Sequence, residues 1–312
     1  MEKSKCDDMD GEKEIGAEVP ADWIPDRNLL SSSVSKKGDG VLAWAIMMPQ
    51  NHCPFASEVC KRLCYTFVGN FPLQDERHRE NFEFSKSPLF VGAMTEEICR
   101  FAEENGDRDI AAAVHERGEF YSLEYLAKWG EIISSTSHIG NLSYFIYTRS
   151  WKNPAFRAAL EKLASENPHL RVNLSLDADM VAKHGVPKPI GDGRVVYLAE
   201  IDGDFPPSGA DLVLRNLRIR HDQPLERIGG VMVCPNESGL YVAKRRGEPS
   251  LQKGACRRIE CQSCRLCIDR SEGFWEAVKH RYEGTPGEEP HEAESNPYFG
   301  AGPAATNEGG HP

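Results

Sequence analysis

The sequence predicts an α/β protein: a single domain of repeated βα units that form a partial or complete TIM-like barrel, with disordered tails. The 312 residues are 40% hydrophobic and 27% charged, which is typical of a globular chain. The middle of the chain alternates short apolar runs with helical patterns, as repeated βα units do. Both ends are polar and lack a regular apolar spacing. We therefore expect a mobile tail over residues 1–40, an α/β domain over residues 41–281 and an acidic Gly/Pro-rich tail over residues 282–312.

Seven apolar runs are candidate strands, and several are apolar almost throughout, as strands covered on both faces should be. In chain order they are residues 41–48, 109–115, 142–147, 171–176, 194–200, 211–215 and 230–233. Two helices are indicated between them. Ser122 is a suitable N-cap for the first, which carries Leu126 and Ile133 at helical spacing. Asn153 and Pro154 favour the start of the second.

The sequence indicates a cytoplasmic protein without a membrane partner. No apolar run approaches the roughly 18 residues of a membrane helix, and the first residues lack the apolar segment of a signal peptide. A net charge of −11 argues against a general nucleic-acid coat, because phosphate binding depends on Lys and Arg. Contact with nucleic acid would be confined to a basic patch over residues 244–258, whose alternative role is to keep a loop in water. The patch comprises Lys244, Arg245, Arg246, Lys253, Arg257 and Arg258.

Eight of the ten cysteines fall into two groups. In a reducing cytosol such groups bind metal more often than they form disulfides. The first group is Cys53, Cys60 and Cys64. If Cys60 and Cys64 lie at the start of a helix, they are one turn apart on one face, and Cys53 adds a third ligand from the incoming loop. Three thiolates leave one position of a metal or of a cluster iron open. The alternative is three small buried apolar side chains.

The second cysteine group lies towards the C-terminus. A C-x2-C-x2-C run is typical of ferredoxin-like iron–sulfur ligation, whereas zinc sites more often use two separate C-x2-C pairs. An iron–sulfur cluster is therefore favoured, with zinc as the alternative. Either Cys234 or Cys256 would complete the set, and the sequence leaves both open. The candidate ligands are Cys234, Cys256, Cys261, Cys264 and Cys267, whereas Cys6 and Cys99 stand alone and are not expected to be ligands.

Polar residues follow several of the predicted strands, and the carboxyl ends of parallel strands meet at one edge of a sheet. We expect this edge to gather side chains from successive loops, together with the first cysteine group. The residues in question are His115, Glu116, Gly118, Glu119, Tyr147, Arg149, Ser175, Asp177 and Glu200.

Five blocks of the sequence resemble the phage gene product 88 domain family. They are CPFASEVCKRLCY at residues 53–65, GEFYSLEYLAKW at 118–129, YTRSW at 147–151, NLSLD at 173–177 and CQSCRLC at 261–267. The resemblance spans residues 41–267, but it implies little biochemistry because the family is poorly characterised. In one departure, the expected H-x-S-G-D-F reads HERGEF here, so the acidic role falls to Glu119 and the role of the serine is lost.

The layout also resembles that of radical S-adenosylmethionine enzymes. In those enzymes a three-cysteine cluster follows the first strand, a glycine-and-acid turn contacts the amino group of the cofactor, and a Ser-x-Asp contacts its ribose. Gly118 with Glu119, and Ser175 with Asp177, stand at the corresponding places. The resemblance implies that these four residues bind the cofactor, with ligand atoms as the partners of both carboxylates. The cysteine spacing is C-x6-C-x3-C instead of the C-x3-C-x2-C of those enzymes.

The leading hypothesis is an iron–sulfur protein of phage type with one or two clusters, acting as a radical-SAM-like oxidoreductase or modifying enzyme on an unknown substrate. S-adenosylmethionine would be its cofactor, and the C-terminal cysteines would hold an auxiliary cluster. The expected substrate side comprises His115, Tyr147, Arg149 and Trp151. The non-enzymatic alternative is a zinc-stabilised or cluster-stabilised module that binds a protein or nucleic acid. A third alternative is a nuclease or deaminase-type hydrolase that uses His115 and Glu116 near a metal, although the sequence lacks the H-x-E…P-C-x-x-C signature of deaminases.

Overall fold

The computed structural model describes residues 23–34, 40–49, 53–64, 66, 71–200, 205–215 and 227–234. The predicted tail of residues 282–312 and the basic patch of residues 244–258 lie outside the described residues. So do Cys6, Cys256, Cys261, Cys264 and Cys267. Within the described part of the chain, no helix has both the length and the apolar character needed to cross a membrane.

Strands and helices alternate through most of the described chain. The strands are β1 Ser31–Val34, β2 Gly40–Ala45, β3 Ile110–Arg117, β4 Leu142–Thr148, β5 Leu170–Leu176, β6 Val195–Ala199, β7 Leu212–Arg215, β8 Arg227–Ile228 and β9 Val231–Met232. The α-helices are α1 Glu58–Leu63, α2 Asp75–Phe84, α3 Phe90–Glu104, α4 Leu123–Ser135, α5 Pro154–Glu166 and α6 Ala178–His184. Two 3-10 turns, Phe71–Gln74 and Ser150–Lys152, complete the described elements.

The seven strands β1 to β7 form one sheet whose spatial order is the chain order. Strands β2 to β7 are parallel, and β1 pairs antiparallel with β2 at the edge. Parallel neighbours that follow one another along the chain are the arrangement of repeated βα units, so the predicted α/β class is confirmed. Among the described strands, no pairing closes the sheet into a barrel.

The main hydrophobic core lies between the sheet and the helices on one of its faces. On β4, Tyr144 and Ile146 are fully buried in this core, and the Tyr144 hydroxyl lies 2.7 Å from the hydroxyl of Thr136 at the end of α4. The alternate residues Phe145 and Tyr147 are partly exposed on the opposite face. Neighbouring side chains of a strand point to opposite faces of the sheet. One face of β4 is therefore buried against the core, and the other is partly exposed.

The predicted strands are confirmed with shifted ends, except for the last. Residues 230–233 contribute β9, which pairs antiparallel with β8 in a separate two-stranded sheet. Part of the predicted N-terminal tail also belongs to the fold, which corrects the boundary at residue 40. Strand β1 pairs with β2, and Leu29 and Leu30 are buried. Because β1 reads SSSV, it lacks the apolar pattern from which a strand is predicted.

Both predicted helix starts are confirmed. The Ser122 side chain accepts a hydrogen bond of 3.1 Å from the backbone N–H of Tyr125, and the Asn153 side chain accepts one of 2.9 Å from Ala155. Helices α2, α3 and α6 were not predicted. Helix α3 has no side-chain cap, although Phe90, Met94 and Ile98 form a buried stripe at helical spacing. The N-cap of α6 is Asp177, for which the radical-SAM resemblance implied a cofactor role.

Candidate functional site

The first cysteine group lies around α1, a helix of six residues. Its N-cap is Ser57, whose hydroxyl accepts a hydrogen bond of 2.9 Å from the backbone N–H of Cys60. Cys60 lies within the helix, Cys64 is its C-cap, and Cys53 lies in the preceding loop, partly buried against the core. The predicted helical placement of Cys60 is confirmed, with Cys64 at the helix end.

Asp177 connects α1 to α6 and to the loop after β4. One of its oxygens accepts hydrogen bonds from the Ser57 hydroxyl and from the Arg149 guanidinium, and the other accepts one of 3.1 Å from the backbone N–H of Met180. The carboxylate is completely buried, and Arg149 is nearly so. Asp177 thus bonds the N-cap of α1, is itself the N-cap of α6 and carries the counter-charge of Arg149.

Glu119, which follows β3, accepts hydrogen bonds from the end of β4 and from the loop after it. One carboxylate oxygen accepts bonds of 2.9 Å from the Phe120 backbone N–H and from the Thr148 hydroxyl. The other accepts a bond of 2.6 Å from the backbone N–H of Arg149. Burial raises the pKa of Glu119, and these hydrogen bonds act in the opposite direction. The hydrogen bonds described for Glu119 and Asp177 are thus made with protein groups.

Two further contacts fix α1 across the carboxyl edge of the sheet. Arg62 pairs with Glu200 after β6 through hydrogen bonds of 2.7 and 2.8 Å. Ahead of the helix, the ring of Phe55 packs edge-on against Phe156 of α5 at 5.0 Å between centroids. The loops after β3, β4, β5 and β6 are thus linked at one edge, as the sequence predicted for parallel strands.

The three cysteine thiols lie close enough to affect one another. Burial raises the pKa of Cys53 far above its usual range, and Glu119, Cys60 and Cys64 raise it further. Burial also raises the pKa of Cys60, while the Arg149 guanidinium lowers it. All three cysteines are free of disulfides. In the described residues no three His, Cys, Asp or Glu side chains are grouped so that they could hold a metal as they stand.

The other predicted site residues divide between the core and the edge. His115 is buried with its ring 4.7 Å from that of Phe120, and its Nε2 lies 3.0 Å from the Tyr125 hydroxyl. Burial lowers its pKa to about 3. The register between β2 and β3 shifts between Ala113 and Arg117, and both Val114 and His115 in this stretch are buried. His115 is thus packed among the aromatic side chains of the core.

Gly118, Ser175 and Trp151 have backbone or packing roles at the edge. Gly118 has a φ of +106°, and a Cβ atom there would stand 2.4 Å from Cγ1 of Ile46. Only glycine adopts this backbone conformation without strain. The indole N–H of Trp151 donates a hydrogen bond of 3.0 Å to the backbone carbonyl of Ser175. Tyr147 lies on the partly exposed face of β4.

Ser57 and Lys152 are site residues that sequence reasoning missed. Ser57 stands three residues before Cys60, which is the spacing of an N-cap and its bonded N–H, so a local signal existed. Lys152 carries no such signal, because it comes near Cys60 only through the folding of the loop after β4. Cys234 lies after β9, where its backbone N–H donates a hydrogen bond of 2.7 Å to the carbonyl of Val213.

A comparison with known families bears on the resemblance seen in the sequence. The model of the family described as gene product 88 matches residues 26–270, which is most of the chain. The comparison gives no support to the radical-SAM resemblance. No curated protein and no solved structure matches the chain.

Proposed function

This chain belongs to the gene product 88 family, and we propose that it is an iron–sulfur protein whose first cluster binds Cys53, Cys60 and Cys64. The observation that carries the proposal is the fixing of α1 across the carboxyl edge of the sheet. Through Ser57 and Arg62, this helix is bonded to residues that follow β5 and β6. Three cysteines of one short segment are thereby held at the edge where α/β proteins bind their ligands.

The donor set fits an iron–sulfur cluster in its chemistry. Thiolates are the ligands that such clusters use, and a set of three leaves one iron with an open position. The side chains as they stand do not yet form a metal-holding group, so binding would have to draw the three sulfurs together. A bound cluster would supply one-electron transfer and a coordination site for a further ligand.

Arg149 is the residue of this chain best placed to support the bound state. Thiolates held together repel one another, and a positive charge beside them reduces that repulsion. The Arg149 guanidinium lowers the pKa of both Cys53 and Cys60. Asp177 and Glu119 hold the Arg149 side chain and backbone in place. In this proposal both carboxylates position Arg149 and α1. An S-adenosylmethionine ligand would contact Arg149 and α1, and the carboxylates would act on it only through them.

A second candidate function is a non-enzymatic module stabilised by zinc or by a cluster. The observation that favours it is the internal use of both buried carboxylates, whose described hydrogen bonds all connect parts of the fold. A reactive site would instead present such groups to a ligand. In this form the cysteines stabilise the chain, because ligand bonds contribute directly to folding.

Metal analysis after anaerobic purification separates the iron–sulfur protein from the zinc-stabilised form of the module. We expect iron and acid-labile sulfide, with an electron paramagnetic resonance signal after reduction. Cys60→Ser should lower the iron and sulfide content, because it removes one ligand of the first cluster. Cys99→Ser is the matched control, since Cys99 lies on α3 away from this group. Zinc without sulfide, or equal iron content in both variants and the parent, would contradict the iron–sulfur proposal.

The cofactor question has its own measurement. Calorimetric titration of the reconstituted protein with S-adenosylmethionine should give saturable binding if the open iron position takes this ligand. An absence of binding removes the radical-SAM form of the proposal and leaves the cluster itself untouched.

A further inference from the structure

A small depression lies between α1 and α6, beside the cysteine group. Its empty volume is about 330 Å³, which includes space open to solvent. The buried side chains of Ser57 and Met180 form part of its wall, and both belong to the network around Asp177. The depression therefore adjoins the hydrogen-bond network around Asp177.

Two lysine ammonium groups in this wall lack a counter-ion. Lys152 is partly buried and Lys183 is exposed, and within the described residues neither has an ion pair or a hydrogen-bonded partner. Burial lowers the pKa of Lys152, and the positive charges of Arg149 and Lys183 lower it further. Arg149 has Asp177 as its counter-ion. The positive charge that remains beside the depression is that of the two lysines.

Acidic side chains in the same wall do not balance this charge. The Glu58 carboxylate is already paired with Lys61 at 2.9 Å and is largely exposed. The one remaining carboxylate in the wall is that of Asp179, whereas the wall carries two ammonium groups, those of Lys152 and Lys183. Among the lining side chains that lack an ion-pair partner, positive charge exceeds negative charge.

We propose that the depression binds the carboxylate or phosphate group of a small anionic ligand through Lys152 and Lys183. A partly buried ammonium without a counter-ion gains most from an anion, because the hydrogen bonds formed are charge-assisted and poorly screened. Lys152 also interacts electrostatically with Cys60, so the proposed subsite lies beside the cysteine group. That the ligand reacts at a cluster rests on the proposed function, whereas anion binding at the lysines does not.

Calorimetric titration of the full chain with inorganic phosphate, and separately with acetate, tests the subsite at constant ionic strength. We expect saturable binding that Lys152→Gln and Lys183→Gln each weaken about tenfold or more, which corresponds to the loss of one charge-assisted hydrogen bond. The anion that binds with the higher affinity identifies the class of the ligand. Lys162→Gln is the control, because Lys162 is exposed on α5 and pairs only loosely with Glu166, at 3.9 Å.

Three results would overturn the subsite: no saturable binding of either anion, unchanged affinity in both lysine variants, or an equal loss in the Lys162 control. The Lys183 variant keeps the test valid if Lys152→Gln unfolds, because Lys183 is exposed at the end of α6. Phosphate binding by a chain that takes up no iron would support the anion subsite while it contradicts the cluster proposal. A reconstituted chain that takes up iron and sulfide but binds neither anion would support the cluster proposal and contradict the anion subsite.

Discussion

Asp177 and Glu119 are two buried carboxylates whose described hydrogen bonds are all made within the protein. An unpaired charge in such a position would cost several kcal/mol, so each needs donors placed by the fold. Asp177 obtains them from Ser57, Arg149 and Met180, which belong to three different parts of the chain. At the scale of single residues, the site is therefore organised around internal hydrogen bonds and one buried ion pair, Arg149–Asp177.

Asp177→Asn should lower the free energy of unfolding by about 3 kcal/mol, because it leaves the buried Arg149 guanidinium without a counter-charge. Chemical denaturation measures this. Glu166→Gln removes an exposed carboxylate that lies 3.9 Å from Lys162 and should change the free energy by less than about 0.5 kcal/mol. Equal effects of the two substitutions would mean that the buried pair contributes no more than a surface pair.

Gly118→Ala should destabilise the chain by about 2–4 kcal/mol, since the added Cβ meets Ile46 and the backbone has a positive φ. Gly92→Ala is the matched control, for which the expected change in the free energy of unfolding has the opposite sign. Gly92 lies within α3 with no atom within 4 Å of the added Cβ, so alanine should stabilise by about 0.5–1 kcal/mol. Thermal unfolding of both variants checks the pair of predictions. A Gly118 variant as stable as the parent would contradict the backbone constraint.

At the scale of elements, the short strand β1 is held by a helix as well as by its neighbour in the sheet. The Glu97 carboxylate on α3 accepts hydrogen bonds of 2.7 and 2.9 Å from the backbone N–H groups of Leu29 and Leu30. Both leucines are buried in the main core. A polar strand of four residues thus keeps its place through contacts that its own sequence does not indicate.

Glu97→Ala should loosen the segment before β1 without unfolding the domain. The backbone N–H groups of Leu29 and Leu30 lose their acceptor, so their hydrogen exchange should speed up by about tenfold, equivalent to one hydrogen bond. Exchange measured by mass spectrometry on the peptide that contains them would detect this. Glu96→Ala, on the exposed side of the same helix, should leave the exchange rate unchanged. Equal rates in both variants would show that Glu97 does not hold the segment.

At the scale of the whole molecule, the sheet has its main core on the helix side, and this core contains neutral histidines. His78 is buried, and its Nδ1 lies 3.1 Å from the Arg117 guanidinium, which can only donate. Burial and the charge of Arg117 lower its pKa to about 4. Together with His115, it requires the folded chain to carry uncharged imidazoles well below pH 6.5.

Stability should therefore decrease as the pH falls from about 6.5 to about 4. In this window the unfolded chain takes up protons on both histidines while the folded chain does not. Each histidine contributes a slope of about 1.4 kcal/mol per pH unit. His115→Phe should reduce the slope of unfolding free energy against pH by this amount, measured by denaturation at several pH values. The exposed His138→Gln should not change it, and equal slopes in all three proteins would contradict the assignment.

The sequence by itself determined the class of fold and the ends of several elements. Apolar runs predicted the parallel strands, and the caps at Ser122 and Asn153 marked two helices, because these signals are local. It also predicted that residues after successive strands meet at one edge, since parallel strands share their direction. The family resemblance followed from short blocks of fixed spacing, and the match to the gene product 88 family confirms it.

Only the tertiary structure decided which protein groups the polar residues at that edge contact. The resemblance implied a cofactor-binding role for Glu119 and Asp177, and the fold shows that they accept hydrogen bonds from the loop after β4 and from the N-cap of α1. His115 ends the strand that the sequence predicts, yet in the fold its ring packs against the aromatic side chains of the core. The physical reason is that the sequence gives only the type of side chain, whereas the partners and the pKa of a carboxylate or an imidazole are set by long-range packing that local sequence does not encode.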